Sequence, residues 1–180
     1  ALKNLKGTSI EQRPKHIENR EEYGHWEMDC VVGGKGDSGA VLLVLTERKS
    51  REEIIRKMPS RTQSSVKQEL DRLERRYGKR FSQKFKTITV DNGPEFLNSS
   101  ELEGSIIKQG EIRVKVYYAH PYSSGERGSN ENGNRLIRRF IPKGTDISNY
   151  TAQEIKRIEH WMNNYPRKIH GYKTAKEMAA

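Results

Sequence analysis

A chain of 180 residues is long enough for one domain with its own core, and a net charge of +10 is the electrostatic signature of a polyanion binder. The single cysteine, Cys30, excludes an internal disulfide and fits a reducing compartment, and the longest apolar run, Ala40 to Leu45, is far too short to span a bilayer. Leu, Ile, Val and Phe make up only a fifth of the residues, so the core is expected to be modest.

Residues 1–22 are polar, carry Pro14, and read as an arm or linker; 23–180 read as one folded unit. The chain opens Ala-Leu-Lys-Asn-Leu-Lys, with neither an initiating Met nor a secretory signal, which suggests a piece of a longer protein. His25–Val32 alternates like a strand, with Trp26, Met28 and Cys30 on one face and Glu27 and Asp29 on the other. A glycine-rich hairpin loop at 33–39 leads to Ala40–Leu45, a continuous apolar run expected as a buried strand. Glu52–Met58 makes a third strand before Pro59. Thr62–Tyr77 places Val66, Leu70, Leu73 and Tyr77 on one helical stripe, and Gly78 ends it. Thr87–Val90 is a fourth strand that delivers Asp91 at its C-terminal end. A short helix and a Gly-bounded loop are expected within 94–110, a fifth strand at Arg113–Ala119, and a flexible loop at Ser123–Gly128. Helices follow at Ser129–Phe140, Thr151–Asn164 and Thr174–Ala180. Three meandering strands followed by helix, strand, helix, strand and helix is the ribonuclease-H-like order. The expected fold is therefore α/β, a central five-stranded mixed sheet flanked by helices, with strands four and five parallel to the first.

Three acids stand out in that layout. Glu27 and Asp29 share a strand face, so either could bind a cation. Asp91 stops where Asn92-Gly93 turns the chain, a sequence that taken alone is an ordinary turn. Glu131 shares a helix face with Arg127, Asn134, Arg135 and Arg138, while Leu136, Ile137 and Phe140 lie opposite. An intrahelical Glu131–Arg135 pair would explain Glu131 by itself, at only ~0.2–0.5 kcal/mol. Together, two strand carboxylates and one helix carboxylate can hold two Mg²⁺ ions ~3.5–4 Å apart, the clamp used in phosphodiester displacement. The five His residues show no metal-ligand spacing, and neither a phosphate-loop sequence nor a Gly-x-Ser-x-Gly elbow is present. Trp26 is expected in the core. Of Tyr117 and Tyr118, one is expected inside and the other outside, and Tyr122 sits on a loop where it could stack on a base or pack.

These residues resemble the DDE transposases, specifically the IS-thirty family of bacterial insertion sequences. The resemblance runs from about Arg13 to Ala180. It rests on Gly24-His25-Trp26-Glu27 with Asp29, on Val90-Asp91-Asn92-Gly93-Pro94-Glu95-Phe96, and on the long run from Tyr118 to Asp146 that contains Glu126-Arg127-Gly128 and Asn130-Glu131-Asn132. Asn164-Tyr165-Pro166-Arg167-Lys168 extends it. The resemblance selects Asp29 over Glu27 and implies Asp29, Asp91 and Glu131 as catalytic metal ligands for Mg²⁺ or Mn²⁺, two ions in all. It implies a retroviral-integrase-like catalytic core that hydrolyses and transfers DNA strands at insertion-sequence ends. Three departures are visible: Met28 where Gly is usual, Gly125 where Trp is usual, and a long interval from Asp91 to Glu131, assigned to a surface insert around Gly104–Glu111. No helix-turn-helix for the element ends is found.

DNA is the expected partner, both element ends and target. The expected contacts are Tyr122, Arg127, Asn130, Asn134, Arg135, Arg138, Arg139, Lys143 and Lys168, mostly to phosphates. A homo-oligomer assembled on DNA and a cytoplasmic, nucleoid-associated location in a bacterium complete the expectation, with no membrane involved. Two rivals remain: a ribonuclease-H-type nuclease that does not join strands, and a non-catalytic DNA-binding domain derived from a transposase. The carboxylates of Asp29, Asp91 and Glu131 are expected to converge at the end of the Thr87–Val90 strand.

Overall fold

The computed structural model describes residues 7–180; residues 1–6 of the expected arm lie outside the described residues. The strands are β1 (Thr8–Ser9), β2 (His25–Val32), β3 (Val41–Glu47), β4 (Glu53–Met58), β5 (Thr87–Val90) and β6 (Lys115–Tyr118). The α-helices are α1 (Gln63–Tyr77), α2 (Phe81–Lys84), α3 (Ser99–Glu103), α4 (Gly128–Phe140), α5 (Ala152–Asn163) and α6 (Ala175–Ala179). They form one mixed sheet of order β1-β6-β5-β2-β3-β4. β2, β3 and β4 meander antiparallel, while β5 pairs with β2, β6 with β5, and β1 with β6, all parallel.

The ribonuclease-H-like α/β architecture is as expected, with six strands instead of five. The added strand comes from the arm. Thr8 and Ser9 pair with Tyr117 and Tyr118, which buries both tyrosines, whereas only one was expected inside. Arg13 then reaches under the sheet edge, donating from Nη1 to Thr89 Oγ1 at 2.9 Å and pairing with Glu18, and Ile17 is buried. Residues 7–20 are thus docked against the core and not a free linker.

Strand alternation divides the interior in two. One core lies between the sheet and α1–α3, where Trp26, Met28, Leu43, Leu45, Ile88 and Val90 meet Val66, Leu70, Leu73, Phe81 and Phe85. Trp26 stacks on Phe85 with centroids 4.8 Å apart, and its indole Nε1 donates to the Lys84 carbonyl. Met28 is fully buried here and fills the space that the expected glycine would leave. The second core joins Leu42, Val44 and Ile55 to Ile137 of α4 and Ile155, Ile158 and Met162 of α5. α1 begins as its sequence dictates: the Thr62 hydroxyl accepts from Ser65 N–H, and Gly78 ends the helix at positive φ. The edge of β4 is covered by α5. Asn163 bonds both backbone groups of Glu53, and Glu159 accepts from Ile55 N–H, so the open ladder cannot recruit another strand. The insert at 104–112 closes as a small loop through a Gly104–Ile112 bridge and hangs on Glu74 of α1.

Candidate active site

The parallel register of β2 and β5 builds the site. His25 faces Thr87, Trp26 faces Ile88 and Glu27 faces Thr89. Continuing by two residues sets Asp29 beside Asp91, and the two-residue period puts Glu27, Asp29, Thr89 and Asp91 on one face. Each aspartate is fixed by a local backbone donor. Cys30 N–H donates to Asp29 Oδ1 at 2.8 Å, and Gly93 N–H to Asp91 Oδ1 at 2.8 Å. Gly93 keeps both carboxylates in place: a Cβ there would come within 2.9 Å of Asp91 Oδ1 and 2.7 Å of Glu95 Oε2, so these side chains would have to shift. Asn92 ties the turn to β6 by donating to the Ala119 carbonyl.

A cation already bridges the two aspartates. The Arg127 guanidinium lies 3.3 Å from Asp29 Oδ2 and 3.7 Å from Asp91 Oδ2. Burial pushes the Asp29 carboxyl up from its ordinary pKa, Arg127 and the Cys30 N–H pull it back, and the Asp91 charge pushes it up again. Two carboxylates this close on adjacent strands are costly unless a positive charge sits between them. The two aspartates offer only oxygen donors, a set that suits hard cations, and Arg127 supplies the positive charge between them.

α4 runs alongside this pair. Asn134 Nδ2 donates to Asp29 Oδ2 at 3.3 Å, and Arg138 donates to the Val32 carbonyl at the end of β2. Arg127 and Asn134 flank Glu131 at −4 and +3, so both neighbours on its helical face touch Asp29. Glu131 itself is exposed in the first turn of α4, and among the described residues no hydrogen bond or ion pair engages it. The structure therefore brings Asp29 and Asp91 together, but the expected convergence of three acids is not seen: among the described residues the carboxylates of Asp29, Asp91 and Glu131 do not all come within 4.8 Å of one another. It makes no Glu131–Arg135 pair either.

Glu27 is occupied elsewhere. Fully buried, it pairs with Arg48 at 2.9 Å and accepts the Asn130 backbone N–H at 3.1 Å. Asn130, expected as a DNA contact, is also fully buried, with its amide directed at Thr46 Oγ1 and the Val44 carbonyl. It packs the start of α4 onto β3 and has no surface to offer DNA. Ser129 accepts from both Arg20 and Arg51 at the same helix end. Sequence reading also missed Arg127 as the counter-charge of the aspartates; its −4 spacing from Glu131 was the available signal.

Beside Asp91 opens a cleft of about 460 Å³ lined by Asn92, Gly93, His120, Tyr122 and Arg127. Tyr122 is fully exposed at positive φ, a backbone conformation uncommon for a non-glycine residue. His120 links this loop to the arm, bonding Glu126 at 2.7 Å and Glu11 at 3.0 Å, and both contacts raise its pKa. A Cβ at Gly125 would meet nothing within 4 Å, so the backbone there leaves room for a side chain to begin. Arg135, Arg139, Lys143 and Lys168 are exposed.

The integrase core domain family matches residues 19–124, more than half of the chain. The chain belongs to that family. This integrase core is 39% identical over 172 residues to the probable transposase for insertion-like sequence element IS1161 of Streptococcus salivarius, covering 96% of this chain and 46% of that protein. It is 37% identical to transposase InsI for insertion sequence element IS30C of Escherichia coli (strain K12), covering 97% of this chain and 42% of the relative. The likeness to insertion-sequence transposases thus extends over nearly all of this integrase core, which spans less than half the length of either relative. A chain in the cryo-electron microscopy structure of the simian T-cell lymphotropic virus intasome, in complex with PP2A regulatory subunit B56 gamma, shares its fold with a TM-score of 0.65. That match has 17% identity and covers 87% of this chain and 54% of the other. Among the described residues no helix is long and apolar enough to cross a membrane.

Proposed function

We propose that this integrase core is the catalytic part of an insertion-sequence transposase. It hydrolyses a phosphodiester at an element end, and the freed 3′-hydroxyl then attacks a second phosphodiester, whose 3′-oxygen leaves. The observation that supports this most is the Arg127 guanidinium held between Asp29, within β2, and Asp91, just past the end of the adjacent parallel β5, in a strongly basic chain. Asp29 and Asp91 are proposed to hold divalent ions, with Glu131 as the third carboxylate from the facing helix. When bound, two such ions would stabilise the attacking and leaving oxygens. The residues of the chain do the rest. Asn134 and the Cys30 N–H orient Asp29, and the Gly93 N–H orients Asp91. Where divalent ions met the charge of Asp29 and Asp91, Arg127 would be free to contact the phosphate. Tyr122 offers a face for a base beside the cleft, and Arg135, Arg139, Lys143 and Lys168 position DNA through phosphates. Assembly as a homo-oligomer on DNA, and action in the bacterial cytoplasm, belong to the same proposal.

The test is a strand-transfer assay with a labelled, pre-cut element-end duplex, with and without Mg²⁺, on the chain and on Glu131→Gln. Joined product that requires Mg²⁺ and vanishes in Glu131→Gln, with DNA affinity held, is expected. Cleavage without joining would identify a nuclease, and binding without either would identify a DNA-binding domain. Joining at wild-type rate in Glu131→Gln would remove Glu131 from the site and direct attention to Glu95 and Glu126.

A further inference from the structure

A second group of ligand-type side chains lies at the other end of β2. His16, on the short 3₁₀ turn Lys15–Asn19 of the arm, faces Glu22 and His25, and one ligand atom from each lies within 4.8 Å of the other two. His25 Nε2 is 2.8 Å from Glu22 Oε1, His16 Nε2 is 4.0 Å from Glu22 Oε2, and the two imidazole rings meet edge to face at 5.9 Å. Tetrahedral bonds of about 2.0–2.1 Å to nitrogen and oxygen need ligand atoms roughly 3.3 Å apart. The observed separations bracket that value, and the two exposed side chains, His16 and Glu22, are the ones that must adjust.

We infer that His16, Glu22 and His25 form a binding site for one transition-metal ion of the Zn²⁺ class, separate from the aspartate pair. Two imidazoles and one carboxylate select such an ion over Mg²⁺, which prefers oxygen donors alone. The buried ligand is pre-oriented: His25 Nδ1 lies 2.8 Å from Thr87 Oγ1, and donation to that oxygen leaves Nε2 with its lone pair toward the site. The turn that joins two of the ligands is also built for close packing, because Gly24 adopts φ +114° against the stem of Lys86. Lys86 Nζ, 3.2 Å from Glu22 Oε1, neutralises the carboxylate in the absence of the ion and is exposed enough to swing away. The site would staple the arm to β2. Asp29 lies four residues further along that strand, roughly 13 Å away, so the two sites do not share ligands.

The test uses tag-free protein in an Asp29→Asn/Asp91→Asn background, which removes the aspartate pair as a competing site. One retained equivalent of Zn²⁺ is expected, unaffected by excess Mg²⁺, and Co²⁺ in its place should give tetrahedral visible absorption. Saturation at a hundred times Kd should raise Tm by roughly 5–10 °C. His25 is buried, so the variant of choice is the exposed His16→Ala, with Glu22→Gln as its companion. Each should weaken Zn²⁺ by at least the roughly 10–100-fold that loss of an outer-shell partner costs elsewhere. Equal Zn²⁺ affinity in His16→Ala and its parent, or no retained equivalent in the parent, would overturn the site.

Discussion

The two faces of the sheet do different work. On the α1–α3 face the alternate residues of β2, Trp26 and Met28, enter a dry core with three stacked aromatics nearby. On the α4 face the intervening residues, Glu27 and Asp29, enter a network of charges and amides formed with Arg48, Asn130, Asn134 and Arg127. The first face is cheap to bury and rigid. The second is expensive, because every buried charge there needs a partner. One strand thus packs a core with its even residues and sets its odd ones among charges and amides.

The largest effect expected from this division is on activity alone. Asp91→Asn should reduce strand transfer by roughly a thousandfold, the loss of about 4 kcal/mol of transition-state stabilisation. Its Tm should stay near the parent's, because Arg127 keeps Asp29 as a partner. A matching fall in Tm would mean that Asp91 supports the fold.

Next come two adjacent residues with opposite lessons. Trp26→Ala should cost about 3–5 kcal/mol in denaturant unfolding, since it opens a cavity against Phe85. Glu27→Ala should cost a similar amount, about 3–5 kcal/mol, by leaving buried Arg48 with only the exposed Glu18 carboxylate at 3.9 Å. Replacing Glu27 and Arg48 together with apolar residues of similar volume should recover most of that loss. No second substitution at Phe85 should rescue Trp26→Ala. Rescue there, or none at Glu27, would erase the distinction between the faces.

A smaller effect concerns pH. Glu47, at the end of β3, is fully buried, and burial pushes its pKa up to about 7 against the opposing N–H donors of Lys49 and Ser50. A raised folded pKa means that the folded state holds the proton longer than the unfolded chain. Its contribution is complete below the ordinary glutamate range and is lost as pH rises toward and through about 7. Each unit is worth about 1.4 kcal/mol. Subtracting the stability–pH curve of Glu47→Gln from that of the parent should show a decline of a few kcal/mol over this window. A flat difference would place the ionised carboxylate comfortably on its backbone donors.

The smallest effect tests the rim of the polar face. Arg139 and Lys143 are exposed near the end of α4, and replacing both with Ala should flatten the log–log salt slope of duplex binding by about 1.8. An unchanged slope would place the DNA on another surface.

Much of this was written locally. β2 and β5 fall on their expected residues, His25–Val32 and Thr87–Val90, because alternation and β-branched content specify a strand without help from its neighbours. The stripe Val66, Leu70, Leu73 likewise specifies α1. Asp29 and Asp91 were identifiable because one lies on a strand face and the other just past a strand end, and parallel pairing then had to set them side by side. Other features depended on contacts distant in sequence. β1 is two residues long and has no period of its own; it exists because the edge of β6 offers it a partner, and it buries Tyr117 that alternation alone would turn outward. The four residues of α2 are held by Phe81 and Phe85 in the aromatic stack, not by helix propensity. Only the folded chain decided which of two acids on the same face would be spent on a buried Arg48 and which would stay near solvent. It also decided that Asn130 would be buried and Arg127 drawn between the aspartates. Local periodicity fixes which face a side chain takes, but the charge that meets it there comes from a residue some twenty to a hundred positions away, and only packing brings that residue in.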